Sequence, residues 1–361
     1  MYKELHSIPE PPFEEYQTSE YIETTLKNAG LGVTTGCGKT GLVGDFGKPQ
    51  GSVLALRADM DALGYQVGGE TRYIHSCGHD AHSTMVLAAS EIIAKEYPEL
   101  KGWFKAIFQP AEEIGMGAKA MIKDGVLEGV DTIIGIHLRP IQETPFGMAA
   151  ASLSHSESIS FSYKIKGKAA HTGRPHLGTN TANVTAAIVQ GINSIKLNPL
   201  KCGTINVVRI EAGEASSNVI PEKGVITINI RAEDNQFGEF IFNKVDKKVN
   251  YIAKSMDATA ELLRKKEIPA CLSNEKAIDL CRAAIIKVLG EDGLIDNLLS
   301  PGGEDFWYYP RSKKDLKASY IGLGADFSPG LHDPQASFNL DTLIIGTLIL
   351  IEVVLEFINR G

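Results

Sequence analysis

Positive charge is in short supply: 36 lysines and arginines face 44 aspartates and glutamates, leaving a formal net charge of −8. No basic stripe is available for phosphates, which excludes nucleic acid and anionic membrane as expected partners and leaves small molecules. Cysteine is scarce too. Cys37, Cys77, Cys202, Cys271 and Cys281 are odd in number and irregular in spacing, which argues against a disulfide framework and predicts a reducing cytoplasm. The stretch MYKELHSIPEPPFEEY places prolines and acids where a secretory signal needs an apolar run, so no export is expected. Long uninterrupted apolar runs are missing as well. The strongest, Leu340 to Phe357, is broken by Asp341, Gly346, Glu352 and Glu356, which predicts a buried core helix rather than a membrane span. No internal repeat or low-complexity tract is evident.

What is present is enough apolar sequence for more than one core. At 361 residues and 43% apolar content, two domains are expected. Short apolar runs at 52–58, 103–109 and 131–137 alternate with a helical pattern at 83–97, an order that predicts an α/β layered sheet. Asp59 and Asp61 follow the first run, Glu112 and Glu113 follow the second, and His137 ends the third. Ligand sites in open α/β sheets gather at the carboxyl ends of strands, so these groups can converge although far apart in sequence. From Ser158 the pattern changes. Strands at 158–167, 203–213, 224–233 and 258–263, with helices at 181–194 and 236–255, give the order β-α-β-β-α-β of a ferredoxin-like α+β sandwich. After Lys266 a helix at 275–289, a strand at 318–324 and the terminal helix resume the first pattern. The expected architecture is a catalytic α/β domain in two pieces, 1–157 and 267–361, with a second domain inserted at 158–266.

The densest chemistry is HSCGHDAH, His75 to His82, with three histidines, one cysteine and one aspartate in eight residues. An isolated cysteine reads as a buried structural thiol. This one stands among imidazoles and a carboxylate, the ligand set of zinc and neighbouring divalent metals. A structural zinc site would show a second pair of CxxC type, and the chain has none. Thirty-six residues beyond Cys77 lies Glu113, and 24 further is His137. On its own Glu112-Glu113 is equally a solvated pair at a helix N-terminus. Beside a metal, one carboxylate can bind the ion while its neighbour takes a proton from water, whose pKa the ion lowers from about 16 to about 7.

Seven ordered segments then carry a resemblance: RADMDAL (57–63), HSCGHDAH (75–82), QPAEE (109–113), GIH (135–137), NVIP (218–221), GGEDF (302–306) and GLH (330–332). Together they resemble the signatures of the N-acyl-amino-acid amidohydrolase, hippurate hydrolase and auxin-conjugate hydrolase branch of the dinuclear metallopeptidase superfamily, which also contains aminoacylases and carboxypeptidases. The resemblance spans nearly the whole chain and implies a mixed sheet around a dinuclear metal site, with the insertion serving as lid and homodimer interface. It places the metal ligands at Cys77, His79, Glu113, His137 and His332, with Cys77 as the bridge, and the general base at Glu112. Two divalent ions per subunit are implied, zinc or manganese first, with cobalt and nickel also used in the family. Asp59 and Asp61 fall where the family orients its ligands, a role that fixes histidine tautomers. His171 falls on a histidine that stabilises the oxyanion, often from the partner subunit, and Asn218 and Arg231 on positions associated with a substrate carboxylate. Glu304 or Asp305 is expected to support ligand orientation, and His75 and His82 to support the site or the structure around it; His6 and His155 carry no role, and the remaining four cysteines read as buried thiols. Two departures are visible: Gly64 stands where the family has proline, and TGR lies between His171 and His176.

The implied activity is hydrolysis of the amide bond of N-acyl amino acids or related amide conjugates by metal-activated water. Two rivals remain at this stage. One is a metallo-carboxypeptidase or dipeptidase, against which Cys77 argues because those relatives usually bridge with a carboxylate. The other is a non-catalytic, metal-dependent small-molecule binding protein, against which the intact ligand set and Glu112 argue.

Overall fold

The near-continuous apolar runs at 53–59, 103–109 and 130–140 become central strands of a sheet, buried along almost their whole length. Such runs suit parallel strands covered on both faces. The computed structural model describes residues 1–47, 51–100, 102–300 and 302–360. It divides into two compact units: Met1–Ser154, Leu272–Ser300 and Glu304–Gly361 form the first, and His155–Cys271 forms the bulk of the second. The sequence expectation set the insertion at 158–266.

The first unit starts with helices α1 (Tyr2–Ser7) and α2 (Tyr16–Asn28), then an antiparallel pair β1 (Gly32–Cys37) and β2 (Gly41–Gly47). Next come β3 (Val53–Asp59), a hairpin of β4 (Leu63–Val67) and β5 (Glu70–Ile74), helix α3 (His79–Glu96), β6 (Trp103–Gln109) and β7 (Val130–Pro140). The large sheet runs β1-β2-β6-β3-β7, then the strand Lys317–Phe327, then Ala149–Ala150 and Leu294–Ile295. β6, β3, β7 and Lys317–Phe327 are parallel neighbours, whereas β2 meets β6 antiparallel, so the sheet is mixed.

Side chains from these strands (Leu54, Leu56, Phe104, Phe108, Ile134, Ile136) share one core with Met85, Val86 and Ile93 of α3 and with Ile349, Leu350, Val353 and Val354 of the terminal helix. That helix, Thr342–Arg360, has the length and composition to cross a membrane, yet one face packs into this core as expected.

The second unit has the order strand Glu157–Lys166, helix Thr181–Asn193, strands Gly203–Ala212 and Lys223–Ala232, helix Asn235–Ser255, strand Thr259–Ile268. All pairings in its four-stranded sheet are antiparallel. Alternate residues Ile159, Phe161, Tyr163, Ile165, Ile226, Ile228 and Ile230 face a core shared with Val184, Ile188, Ile241 and Val245 of the two helices. The strict period of two separates a helix-covered face from an open one. Asn180 and Asp234 cap the helices through side-chain oxygens, which fixes where each begins.

Candidate metal centre

Parallel β3, β6 and β7 bring their carboxyl ends side by side, and each delivers a polar segment there. β3 ends at Asp59 and the chain reaches Asp61 two residues later. After β6, Ala111 takes a left-handed φ of +53°, its amide donating to Glu15 Oε1 at 2.9 Å, and turns Glu112 and Glu113 back toward the centre. His137 lies near the end of β7. Cys77 precedes Gly78, whose φ of +87° suits glycine and starts α3.

The helix begins at His79, not near Ser83 as the apolar periodicity predicts. His79, Asp80 and His82 are polar yet buried in its first turn, so hydrophobic spacing cannot register them.

The donor atoms fall into overlapping groups. Those of Cys77, His79 and His137 lie within 4.8 Å of one another, as do those of Cys77, Glu113 and His332. Cys77 belongs to both. Its Sγ is 3.5 Å from His137 Nε2, while the two Glu113 oxygens stand 3.7 Å from His79 Nε2 and 3.6 Å from His332 Nε2. His79 Nε2 and Glu113 Oε1 are buried and have no hydrogen-bond partner. Buried polar atoms are seldom left so, and a cation between these groups would satisfy both.

The remaining ring nitrogens say which lone pairs are free. His79 Nδ1 donates to the Asp61 carbonyl at 2.9 Å, and His137 Nδ1 donates to the Leu138 carbonyl at 2.6 Å, so both Nε2 atoms can ligate. His82 differs. Its Nδ1 donates to Asp59 Oδ1 at 2.7 Å and its Nε2 accepts the Leu138 amide at 2.9 Å, leaving no free electron pair despite its proximity to Asp59 and His79.

Acidic side chains crowd together at this centre. Burial pushes Glu112 well above the usual carboxylate range, with Glu304 and Asp305 adding to it, and burial pushes Glu113 to about 7. Burial also raises the Cys77 thiol and lowers His137, which keeps that imidazole neutral. His79 goes the other way: burial would lower it, but Asp59 and Cys77 hold it well up. A divalent cation reverses these preferences for thiolate, carboxylate and neutral imidazole, so the donor set fits a metal ion chemically and geometrically.

A family model for peptidase family M20/M25/M40 matches residues 55–356. The chain belongs to this family. It is 32% identical to the N-acetyl-L-cysteine deacetylase of Bacillus subtilis over 97% of this chain and 85% of that protein. It is 29% identical to the hippurate hydrolase of Campylobacter jejuni over 93% of this chain and 90% of that protein. Among solved structures, it superposes on the YXEP protein of Bacillus subtilis, a dinuclear metal binding peptidase of family M20, with a TM-score of 0.83 and 25% identity, covering 100% and 97% of the two chains. The M20 assignment makes the chain a hydrolase of amide bonds.

Beneath the M20 centre lies a network that sequence reading missed. Fully buried Arg57 donates to Asp59 at 2.6 Å, Gln109 at 2.9 Å, Tyr320 at 3.0 Å and Asp305 at 3.1 Å, and its guanidinium lies 3.2 Å from Glu304. Tyr320 donates onward to Glu304 at 2.9 Å. Glu304 and Asp305 thus contact Arg57 and its partners, and the Asp305 amide donates to Glu112 Oε1 at 3.4 Å. Asp59 links Arg57 to His82, while the Asp61 carboxylate reaches His79 Nδ1 at 3.2 Å. Nothing but the position of Arg57 at the head of RADMDAL signals this, since arginine ordinarily reads as a surface residue.

Three further residues change status. His6 pairs with buried Asp80 at 2.6 Å, although the sequence offered it no role. His75 is buried with neither ring nitrogen bonded and joins none of the donor groups. Cys202 is exposed and Cys271 half-buried, so only Cys37 and Cys281 are the buried thiols expected of all four. The second unit holds His171, Asn218 and Arg231. His171 pairs in register with Val219, and the Thr172 amide donates to the Asn218 carbonyl at 3.0 Å, so the first two are neighbours; Arg231 lies half-buried on Lys223–Ala232.

Proposed function

We propose that this M20 chain removes the acyl group from N-acyl amino acids or related amide conjugates, using two divalent ions held by Cys77, His79, Glu113, His137 and His332. The observation that carries the proposal is the pair of donor groups meeting at Cys77, with Glu112 in a third group with His79 and Glu113. Two bound divalent ions would acidify water and polarise an amide oxygen. Glu112 accepts the proton of water as its oxygen attacks the amide carbon. The tetrahedral intermediate then breaks its C–N bond, and Glu112 returns the proton to the departing amine. Carboxylate and free amino acid are the products. The deacetylase and hydrolase relatives support this substrate class.

Thiolate and imidazole favour zinc, with manganese next. His171 as oxyanion donor, and Asn218 and Arg231 as carboxylate partners, stand on the family resemblance. Homodimerisation through the second unit is supported by its edge strand Gly203–Ala212, which exposes Val208 and Ile210. Five free thiols support a reducing cytoplasm. The test is a metal-reconstituted screen of acetyl-, benzoyl- and indoleacetyl-amino acids beside dipeptides, with products identified by mass spectrometry. Faster cleavage of acyl-amino acids is expected. Dipeptides as the better substrates would replace this reading with a peptidase, and binding without cleavage would replace it with a binding protein.

A further inference from the structure

The hairpin β4–β5 carries Gly64, where the family pattern has proline, and the phenol of Tyr65 beside it reaches two separate segments of the centre. Tyr65 Oη lies 2.7 Å from Ser76 Oγ, one residue before Cys77, and donates to the carbonyl of His332 at 2.8 Å. The His332 amide in turn donates to the Ser76 carbonyl at 2.8 Å. Ser76, Tyr65 and His332 thereby close a ring of hydrogen bonds in which the serine hydroxyl donates to the phenol.

His332 needs such support. It adopts a left-handed φ of +66°, sparsely populated for a residue with a side chain, and it is exposed, without the packing that fixes His79 and His137. With both its amide and its carbonyl claimed, its peptide planes have one orientation, and the imidazole is held toward Glu113 Oε2 at 3.6 Å.

The hairpin is built to present this phenol. Gly68 and Gly69 have φ of +64° and +89°, as a tight two-residue turn of type I′ demands, and set the register Tyr65 opposite Arg72. A Cβ at Gly64 would stand 3.1 Å from the Tyr73 ring and 3.2 Å from Thr71 Cγ2, so the glycine lets the strands close.

We infer that Tyr65 is a positioning residue of this chain, which locks His332 onto the Cys77 segment and so sets the affinity and geometry of the metal subsite shared by Cys77, Glu113 and His332. The inference rests on the reading of His332 as a ligand.

The test titrates metal-free protein with cobalt(II), reading stoichiometry, affinity and the visible cobalt spectrum. Tyr65→Phe should bind two ions, one of them on the order of tenfold more weakly and with an altered spectrum, in line with the effect of losing a partner that orients a ligand. Gln66→Ala, which cuts the Gln66–Thr71 bond of the same hairpin (2.8 Å), should match the unaltered chain. Unchanged affinity and spectrum in Tyr65→Phe would overturn the inference, as would equal weakening in both variants, which would mark a general effect of the hairpin. His332→Ala separates the underlying reading: it should lose one ion, and retention of both at full affinity would remove His332 from the ligand set and the clamp with it.

Discussion

Asp61 holds His79 by two contacts, its carbonyl oxygen 2.9 Å and its carboxylate 3.2 Å from the same ring nitrogen. That carboxylate also accepts the Glu112 amide at 3.1 Å and the Glu113 amide at 3.0 Å, so one side chain fixes the His79 imidazole and the backbone of both glutamates. Asp61→Ala should therefore weaken metal binding by about 10- to 100-fold, the usual effect of losing a partner of a ligating histidine. Metal titration of the stripped variant measures this, and affinity equal to that of the unaltered protein would mean that Asp61 does not orient His79.

Glu112→Gln separates holding metal from moving protons. The amide cannot accept water's proton, while Glu113 and the other donors are untouched, so two ions should remain bound and turnover should fall by about 10²- to 10⁴-fold. Metal analysis and initial rates on the best acyl-amino acid decide it, and near-normal turnover would show that the base lies elsewhere.

The ion pair of His6 and Asp80 ties α1 to the start of α3, and its contribution is confined to a pH window. The hydrogen bond to Asp80 raises His6 above its ordinary value of about 6.5, so its stabilisation is full below that value and fades as pH rises through the raised one. Burial would raise Asp80, but the charges and hydrogen bond of His75 and His6 hold it below its ordinary value of about 3.9, so its share is lost on acidification. His6→Ala should lower the melting temperature most between about pH 4 and 6.5 and progressively less as pH rises beyond that range. An equal loss at pH 5 and pH 9, measured by calorimetry, would show that the histidine acts by packing instead.

How legible these features were in sequence depended on what each residue faces. β6 has the bounds its apolar run predicts because both faces are buried. The β4–β5 hairpin escaped notice although Gly68-Gly69 is a turn signal, since Gln66, Thr71 and Arg72 face water, Tyr65 is half-buried and the strands show no apolar alternation. The donor residues that cluster at the centre stand in motifs, which record side-chain chemistry directly. Their supports were not legible, because Arg57, Tyr320 and Tyr65 act through distances of 263 and 267 residues along the chain that no local pattern encodes.

Gly135 shows how tightly those supports are packed. A Cβ there would sit 2.0 Å from Cε2 of Tyr320 and 3.2 Å from Phe306, so the buried tyrosine ring lies directly on the glycine of the GIH segment. Gly135→Ala must move Tyr320, whose hydroxyl accepts from Arg57 and donates to Glu304. Overpacking costs about 1–3 kcal/mol, and the loosened buried polar groups add about 1–3 kcal/mol more. Tyr320→Leu alone would forfeit the hydroxyl's bonds and leave a cavity. In the double variant, however, the clash with the ring is gone, so its destabilisation should fall short of the sum of the single losses, with a coupling of about 0.5–3 kcal/mol. Urea unfolding of the four proteins measures that coupling. Additive losses would mean that Gly135 is required for some reason other than the ring of Tyr320, and the link from the GIH segment to the Arg57 network would have to run through another residue.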